Sequence, residues 1–324
     1  MFERKQKIYM GFMGLVIVGL LAIVFIETRF MILTDLSTKP IYHNSESLIF
    51  DKERAPVYLV TYADGPDIFF KNQHALTVSS LNKGIDFILN YRRSLIDSNF
   101  IKQHEKTFKE KQGAGFWLWK PWVILDAMKK SPENSFIIYA DTGFVFTEPV
   151  TPYLNRMKNH DILLVAYDLA IDDSLIQICK RDIFMKLNCD KPACWHGIHT
   201  MGGFLILRNT PKARTFIQEW LDLCRQEKLL TNCKGDYPPH PENIKHHHDE
   251  AILSVLYNSH YDKGDTSIGL LPVETFRELA FWHHRHPGRE FESLYHKLDR
   301  RIRGVERVGI LNHPIMIWLR QLLK

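Results

Sequence analysis

The sequence lacks both of the glycine-rich motifs that most often bind phosphate groups. It contains neither G-x-G-x-x-G nor G-x-x-x-x-G-K-[ST], which excludes a typical dinucleotide-binding turn and a P-loop. It also lacks a stripe of Lys and Arg interleaved with aromatic residues, and its formal net charge is only +5. Nucleic acid is therefore not expected as a partner. No internal repeat is evident, so a solenoid or another repeat array is not expected.

Cysteine is scarce and is confined to the second half of the chain. Since the count is odd, at least one thiol is unpaired or forms an intermolecular bond. The spacing matches no zinc ribbon and does not fix connectivity, although Cys189 with Cys194 and Cys224 with Cys233 are the nearest pairs. The five cysteines are Cys179, Cys189, Cys194, Cys224 and Cys233.

One long apolar run is present, at residues 8–26. Its 19 residues carry no charge and are about as many as a helix needs to cross a bilayer core. Arg4, Lys5 and Lys7 precede it, so the positive-inside rule places the N-terminus in the cytoplasm. A cleaved signal peptide is the alternative, which residues 27–29 disfavour because they offer no small-residue cleavage site. We expect a single-pass type II membrane protein with a tail at 1–7, a signal anchor at 8–26 and a stem at 27–55.

Strand and helix signals alternate after the stem. Short runs rich in β-branched and aromatic residues predict strands, and amphipathic runs predict helices. The predicted strands are 56–62, 86–91, 136–140, 162–166 and 203–208, and the predicted helices are 70–82, 99–111, 120–130, 211–227 and 251–257. The alternation predicts an α/β fold with a mostly parallel sheet flanked by helices. We expect one domain over 56–290 and a basic amphipathic extension over 291–324, packed on the domain or on the membrane surface.

The predicted strand at 136–140 ends at an acidic residue. Asp141 follows it directly, and Gly143 comes two residues later. A carboxylate in this place can bind Mn²⁺ or Mg²⁺, which would bridge the phosphates of a nucleotide sugar. A glycine nearby allows close approach of the backbone to a ligand. An aspartate that only caps a turn is the alternative interpretation.

A histidine-rich segment at 282–287 offers further ligands. His283 and His284 carry imidazoles, which bind Mn²⁺ well, and Arg285 can pair with a phosphate through two hydrogen bonds. Asp141 together with one of these histidines would form a metal site across a long gap in the sequence. An exposed histidine tract without function is the alternative.

Two acidic residues open the predicted helix at 251–257. Asp249 and Glu250 lie in its expected first turn, where negative charge is favourable in any helix. The functional interpretation is that Asp249 contacts the sugar or acts as a general base toward an acceptor hydroxyl.

Aromatic residues and glycines supply further candidate contacts. The segment at 115–121 places Trp119 and Lys120 just before a helix; the ring could stack on a ligand, although most such tryptophans are core residues. Lys120 could contact a phosphate or pair with a local carboxylate. Gly203, in the segment 201–204, could let a sugar lie against the backbone or could form a simple turn.

Taken in order, these motifs resemble a family of glycosyltransferases with the GT-A fold. The resemblance implies a GT-A-like, Rossmann-type sheet and transfer of a sugar from a nucleotide-diphosphate donor to a hydroxyl of a glycan, protein or lipid. It places Asp141 in the metal motif, with Gly143 where a second carboxylate is expected, and Asp64 near the nucleotide. Anchor and stem resemble those of type II Golgi transferases, which implies the Golgi lumen in a eukaryote. The motifs are GFWLWKP at 115–121, YADTG at 139–143, GGFLILRN at 202–209, DEAIL at 249–253 and HHR at 283–285.

Two other functions stay open. A phosphatase with an aspartyl nucleophile needs a second Asp where Gly143 stands. A non-catalytic protein that binds carbohydrate or nucleotide on a transferase fold is compatible with that glycine. The predicted catalytic residue is Asp249, the predicted metal ligands are Asp141, His283 and His284, and the predicted donor contacts are Asp64, Trp119, Lys120, Asp141, Gly143, Gly203 and Arg285.

Overall fold

The computed structural model describes residue 19, residues 54–273 except 82, 147 and 168–173, residue 276, and the backbone of Phe281–His283. Apart from residues 19, 54 and 55, the predicted tail, anchor and stem lie outside the described residues, as does the whole extension at 291–324. Among the described residues, no helix is both long enough and apolar enough to span a membrane.

Strands and helices alternate along the described chain. The strands are β1 (Val57–Ala63), β2 (Phe87–Arg92), β3 (Phe136–Ala140), β4 (Phe144–Phe146), β5 (Ile162–Ala166), β6 (Thr200–Arg208), β7 (Ile268–Pro272) and β8 (Phe281–His283). The helices are α1 (Asp67–Ser80), α2 (Ser98–Gln103), α3 (Glu105–Phe108), α4 (Gly113–Phe116), α5 (Trp119–Lys130), α6 (Thr151–Arg156), α7 (Leu175–Ile178), α8 (Arg181–Lys186), α9 (Pro192–Trp195), α10 (Pro211–Cys224), α11 (Glu227–Leu230) and α12 (His248–Asp262). Single 3₁₀ turns occur at Arg93–Leu95 and Met157–Asn159.

The central sheet contains six strands in the order β2-β1-β3-β6-β5-β7. β1 is parallel to β2 and β3, and β5 is parallel to β7. β6 is antiparallel to both of its neighbours, β3 and β5. The predicted mixed α/β fold with a mostly parallel central sheet is therefore confirmed. β4 and β8 form a separate antiparallel pair.

The strand order reverses direction at β1. The chain passes from β1 to β2 on one side and then returns across β1 to reach β3 on the other. Because such crossovers are right-handed, the two connections lie on opposite faces of the sheet. Leu76 of α1 accordingly packs in one core cluster and Ile124 of α5 in the other. The carboxyl ends of β1 and β3 thus border the kind of crevice in which open α/β sheets bind ligands.

The predicted helix at 99–111 is wrong, because two short helices occupy this region. α2 and α3 are separated at His104, which has φ −117° and ψ 29°. The rings of Phe100 and Phe108 lie 5.9 Å apart, edge to face, whereas eight residues of straight helix would separate them by about 12 Å along the axis. The break lets both rings enter one core cluster.

The paired glycines at 202 and 203 lie within β6, which begins at Thr200 rather than at 203. The interpretation of this segment as a turn is therefore wrong. Its residues are buried from Thr200 to Leu207 and need strand pairing to satisfy their backbone groups. The pairing of β5 with β6 also shifts register between Leu164 and Ala166, an irregularity that is common near active sites.

The strands predicted at 136–140 and 162–166 match β3 and β5 at both ends, and the other predicted helices and strands are present with shifted ends. The segment at 251–257 is the middle of the longer α12, and the predicted helix at 211–227 ends at Cys224. Of the two nearest cysteine pairs, Cys189 and Cys194 form a disulfide, whereas Cys224 and Cys233 are free thiols.

Candidate active site at the carboxyl edge of the sheet

Lys120 lies between two carboxylates at the carboxyl end of β3. Its Nζ atom is 2.9 Å from Oδ2 of Asp249 and 3.6 Å from Oδ1 of Asp141. Lys120 comes from the first turn of α5, Asp141 follows β3, and Asp249 lies in the first turn of α12. The side chains of Lys120 and Asp249 are each 4% exposed, whereas that of Asp141 is 36% exposed. The buried ion pair of Lys120 and Asp249 therefore lies next to the carboxylate of Asp141, which solvent can reach.

The position of Asp141 is fixed by its neighbours. The hydroxyl of Tyr139 donates to Oδ1 of Asp141. The Asp141 N–H donates to the carbonyl of Gly203 at 2.9 Å, and the Phe144 N–H closes a turn on the Asp141 carbonyl at 3.1 Å. Gly143 lies within this turn. The carboxylate is held in one place before any ligand arrives, which favours precise binding.

The paired glycines of β6 leave room for acidic groups on two sides of the strand. A Cβ atom on Gly203 would lie 2.9 Å from Oδ2 of Asp141 and 3.3 Å from the ring of Phe144. A Cβ atom on Gly202 would lie 3.1 Å from Cβ of Glu250 and 3.5 Å from Oδ2 of Asp249. Gly203 therefore faces the Asp141 turn, and Gly202 faces the start of α12.

Burial and charge act in opposite directions on the buried pair. Burial alone would lower the pKa of Lys120, but the carboxylates of Asp141 and Asp249 raise that pKa above its ordinary value. Burial raises the pKa of Asp249 to about 7 in spite of the neighbouring ammonium. Lys120 therefore stays charged at neutral pH. When both carboxylates are ionised, the three groups together carry one negative charge.

Trp119 is part of the core beside the crevice. Its ring stacks on Tyr62 at a centroid distance of 3.9 Å, and its Nε1–H donates to the carbonyl of Gly113 at 2.9 Å. Only 5% of the residue is exposed. Stacking of Trp119 on a donor remains a prediction, and in this conformation the ring supports the first turn of α5.

The chain enters α5 through a left-handed turn. All five residues from Gly113 to Trp117 have positive φ, with values of 56°, 52°, 107°, 51° and 59°. Each non-glycine residue in this conformation costs roughly 1–2 kcal/mol. The turn ends two residues before Trp119 and three before Lys120, so strained backbone sets the direction from which Lys120 enters the site.

Asp64 and Arg93 lie where β1 and β2 end, at the same edge of the sheet. Arg93 Nε donates to Oδ2 of Asp64 at 2.7 Å, and its Nη1 donates to the carbonyl of Phe108 at 2.8 Å. The hydroxyl of Tyr62 also reaches Oδ2 of Asp64, at 3.1 Å. The nucleotide contact predicted for Asp64 remains a prediction. Arg93 was not predicted from the sequence, although an arginine directly after a strand at this edge is a usable signal.

Two histidines surround Glu250, next to Asp249. Oε1 of Glu250 accepts hydrogen bonds from Nε2 of His199 at 3.1 Å and from Nδ1 of His247 at 3.3 Å. Oε2 accepts from the Gly202 N–H at 2.8 Å. Burial alone would raise the pKa of Glu250, but these hydrogen bonds hold it well below its usual range. The sequence interpretation missed this cluster, although H-x-x-E at 247–250 was a signal for it.

The predicted ligands near the C-terminus are only partly placed. The backbone of His283, on β8, pairs with Phe144, which begins the strand just after Asp141. The side chain of His283, and His284 and Arg285 altogether, lie outside the described residues. Their roles as metal and phosphate contacts remain predictions.

No protein-family model matches the chain, and no curated protein matches it. Solved structures similar to it include a glycosyltransferase involved in glycosylation of the major capsid of PBCV-1, with TM-score 0.42, 10% identity, and 71% of this chain and 94% of that chain covered. Mouse xyloside xylosyltransferase 1 in its apo form matches with a TM-score of 0.37 and 9% identity, covering 67% of this chain and 85% of that chain. The galactosyltransferase LgtC in complex with donor and acceptor sugar analogs matches with a TM-score of 0.38 and 10% identity, covering 78% of this chain and 98% of that chain. Similarity at these TM-scores does not decide fold or function, which rest on the strand order and the site.

Proposed function

We propose that the protein is a glycosyltransferase that moves a sugar from a nucleotide-diphosphate donor to a hydroxyl of a glycan, protein or lipid. The observation that carries the proposal is the group formed by Lys120, Asp141 and Asp249 at the strand-order reversal. Open α/β sheets bind ligands outside the carboxyl ends of their strands at this point. The predicted type II anchor at 8–26, with the domain facing the Golgi lumen in a eukaryote, belongs to the same proposal.

Asp141 has the properties of a carboxylate ligand for a divalent cation. Its side chain is the exposed member of the group, and the hydroxyl of Tyr139 fixes one of its oxygens. The negative charge that remains when both carboxylates are ionised would attract a cation. Mn²⁺ or Mg²⁺ would be held by Asp141, with His283 and His284 as the predicted further ligands. When bound, the ion would neutralise charge on the departing diphosphate.

Lys120 acts on the donor through Asp141. Its ammonium lies 3.6 Å from that carboxylate and is almost entirely buried, so it attracts the carboxylate electrostatically and helps to hold it in place. Glycine at 203 leaves space directly beside the same carboxylate, which would let a sugar or phosphate oxygen approach the backbone of β6. These residues would bind and orient the donor diphosphate at the crevice.

Asp249 is better placed to position Lys120 than to remove a proton from an acceptor. Its carboxylate is 4% exposed and lies 2.9 Å from the ammonium, so no acceptor hydroxyl reaches it in this conformation. We propose that Asp249 holds Lys120 beside Asp141. Its predicted role as general base would require the ion pair to open.

Calorimetric titration of the full-length protein with nucleoside diphosphates, with and without Mn²⁺, tests the proposal. We expect one base to bind in a Mn²⁺-dependent manner, and we expect Asp141→Asn to weaken binding at least about tenfold, or 1.4 kcal/mol. Asp222→Asn is the matched control, because Asp222 is 54% exposed on α10. If Asp141→Asn and the wild-type protein bind every nucleotide equally, Asp141 is not in the site.

A non-catalytic nucleotide- or carbohydrate-binding protein is the second candidate. Gly143 stands where a second carboxylate was expected, and the carboxylate of Asp249 is buried. This candidate predicts Mn²⁺-dependent binding of a nucleotide sugar that is recovered intact after prolonged incubation with acceptors. The transferase predicts release of the nucleoside diphosphate.

A further inference from the structure

His199, His247 and Glu250 bring three metal-binding side chains together outside the Asp141 turn. One ligand atom of each lies within 4.8 Å of the others. His199 directly precedes β6, while His247 and Glu250 flank the start of α12. Two imidazoles and one carboxylate form a donor set used by both zinc and non-haem iron sites.

Two of the three distances between ligand atoms match those between ligands on one metal ion. Oε1 of Glu250 is 3.1 Å from Nε2 of His199 and 3.3 Å from Nδ1 of His247. Zinc lies about 2.0–2.2 Å from such atoms, which places neighbouring ligand atoms roughly 3.0–3.5 Å apart in tetrahedral or octahedral sites. Both distances to Glu250 fall in that range, and the ligand atoms of the two histidines lie within 4.8 Å of each other.

The cluster is held by the surrounding backbone. The Gly202 N–H donates to the second oxygen of Glu250 at 2.8 Å, which is the outer contact that orients a ligating carboxylate. The absence of a Cβ atom on Gly202 lets Glu250 come this close. The carbonyl of His199 accepts from the Tyr167 N–H at 2.9 Å. The carboxylate of Glu250 and the backbone of His199 are thus held in place before an ion binds.

An ion can reach the cluster from solvent through His247. The side chain of His199 is 5% exposed, but those of His247 and Glu250 are 29% and 20% exposed. When an ion binds, each ring nitrogen must give up the proton that it donates to Glu250, either to solvent or to the other ring nitrogen.

The cluster is distinct from the site predicted at Asp141. Gly203 faces Asp141 and Phe144, whereas Gly202 faces Glu250 and Asp249. Glu250 therefore faces a different part of β6 from Asp141, although its neighbour Asp249 belongs to the group around Lys120. The backbone of His283, a predicted metal ligand, pairs with that of Phe144, which Gly203 also faces.

We propose that His199, His247 and Glu250 bind a divalent first-row transition-metal ion, of which Zn²⁺ and Co²⁺ are the reference cases. Nitrogen-rich ligands favour these ions over Mg²⁺ and Ca²⁺. Three protein ligands leave at least one coordination position open for water or a substrate oxygen. This site does not depend on the proposed glycosyl transfer.

The test is titration of the metal-free full-length protein with Co²⁺, followed by its visible absorption, with Zn²⁺ as competitor. We expect one equivalent of Co²⁺ to bind to Asp141→Asn, in which the other candidate metal site is impaired, and Zn²⁺ to displace it. Glu250→Gln and His247→Ala should each weaken Co²⁺ binding at least about tenfold, as loss of a second-shell partner alone does at known sites. His196→Ala is the matched control, because it removes an exposed histidine close to His199 in the sequence.

Two outcomes would overturn the proposal. One is unchanged Co²⁺ affinity in both variants, and the other is loss of Co²⁺ binding in Asp141→Asn, which would assign the ion to the Asp141 turn. If a variant fails to fold, as judged by circular dichroism, X-ray absorption of the Zn²⁺-loaded Asp141→Asn protein, in which the other candidate site has lost its carboxylate, decides the question. Two imidazole ligands are expected there, and none would contradict the site.

Discussion

Lys120 and Asp249 form an ion pair of 2.9 Å in which both side chains are almost completely buried. The two residues come from the first turns of helices that are far apart in the sequence. Removing one member of such a pair leaves an uncompensated charge in the interior. The pair therefore connects the stability of the fold with the position of the candidate active site.

Lys120→Met should destabilise the protein by about 3–5 kcal/mol, because it leaves Asp249 buried without its cation. The double variant Lys120→Met/Asp249→Leu should be more stable than the single variant, since it removes both charges. Urea unfolding measures the difference. Lys129→Met, on the exposed surface of the same helix, should change stability by less than about 0.5 kcal/mol. Equal stability of Lys120→Met and wild type would show that the pair is not formed.

Gly203→Ala should weaken binding of Mn²⁺ and nucleotide, because the new Cβ atom would lie 2.9 Å from Oδ2 of Asp141. Gly202→Ala places its Cβ atom against Glu250 instead, at 3.1 Å, and should spare nucleotide binding relative to Gly203→Ala. Calorimetric titration of both variants makes the comparison. Identical losses in the two variants would indicate general damage to β6 rather than a contact at Asp141.

Ala114→Gly should leave stability unchanged or raise it by up to about 1 kcal/mol. Ala114 has φ 52°, and glycine relieves the roughly 1–2 kcal/mol cost of this conformation while adding freedom to the unfolded chain. Ala127→Gly, in right-handed α5, should destabilise by about 1 kcal/mol or more. Thermal and urea unfolding measure whether the changes in stability of the two variants have opposite signs. A large loss in Ala114→Gly would contradict the left-handed turn.

Acid should destabilise the protein partly through Asp265. Its carboxylate accepts from Lys212 Nζ at 2.8 Å, from the Ser267 N–H at 2.9 Å and from the His260 ring at 3.0 Å. Burial alone would raise its pKa, but these donors hold that pKa below the ordinary value. Because the pKa of Asp265 is lower in the folded than in the unfolded protein, its ionisation stabilises the fold above the unfolded pKa of about 3.9. This stabilisation is lost as the pH falls below that value.

Asp265→Asn should therefore be less stable than wild type at pH 7, and the difference should shrink below about pH 4. Urea unfolding across this range makes the measurement, and Asp222→Asn, at an exposed position, serves as control. A difference that stays constant with pH would show that ionised Asp265 does not contribute.

The fold class and the candidate site residues Lys120, Asp141 and Asp249 were predicted from local patterns. The alternation of strands and helices predicted the sheet, and an apolar run ending in Asp141 placed this residue at the carboxyl end of β3. Both inferences use neighbouring residues only. The break at His104 was missed because it accompanies a tertiary contact between Phe100 and Phe108, and helical periodicity does not report such contacts.

The partners of the site residues could not be read from the sequence. The sequence predicts Lys120 as a phosphate contact or as the partner of a local carboxylate, but its closest carboxylate comes from α12. His199 lies far from Glu250 in the sequence and meets it only because β6 runs beside α12. Such pairs depend on tertiary packing, which local residue patterns do not encode.

Donor consumption tests the account most directly. The full-length protein would be incubated with nucleotide sugars and Mn²⁺, and release of the nucleoside diphosphate would be followed for wild type, Asp141→Asn and Asp222→Asn. We predict that wild type and Asp222→Asn consume one donor at similar rates. Asp141→Asn should consume it at least about tenfold more slowly, which corresponds to a loss of about 1.4 kcal/mol of transition-state stabilisation. Consumption that is undiminished in Asp141→Asn, or folded wild-type protein that neither binds nor consumes any nucleotide sugar, would contradict the account.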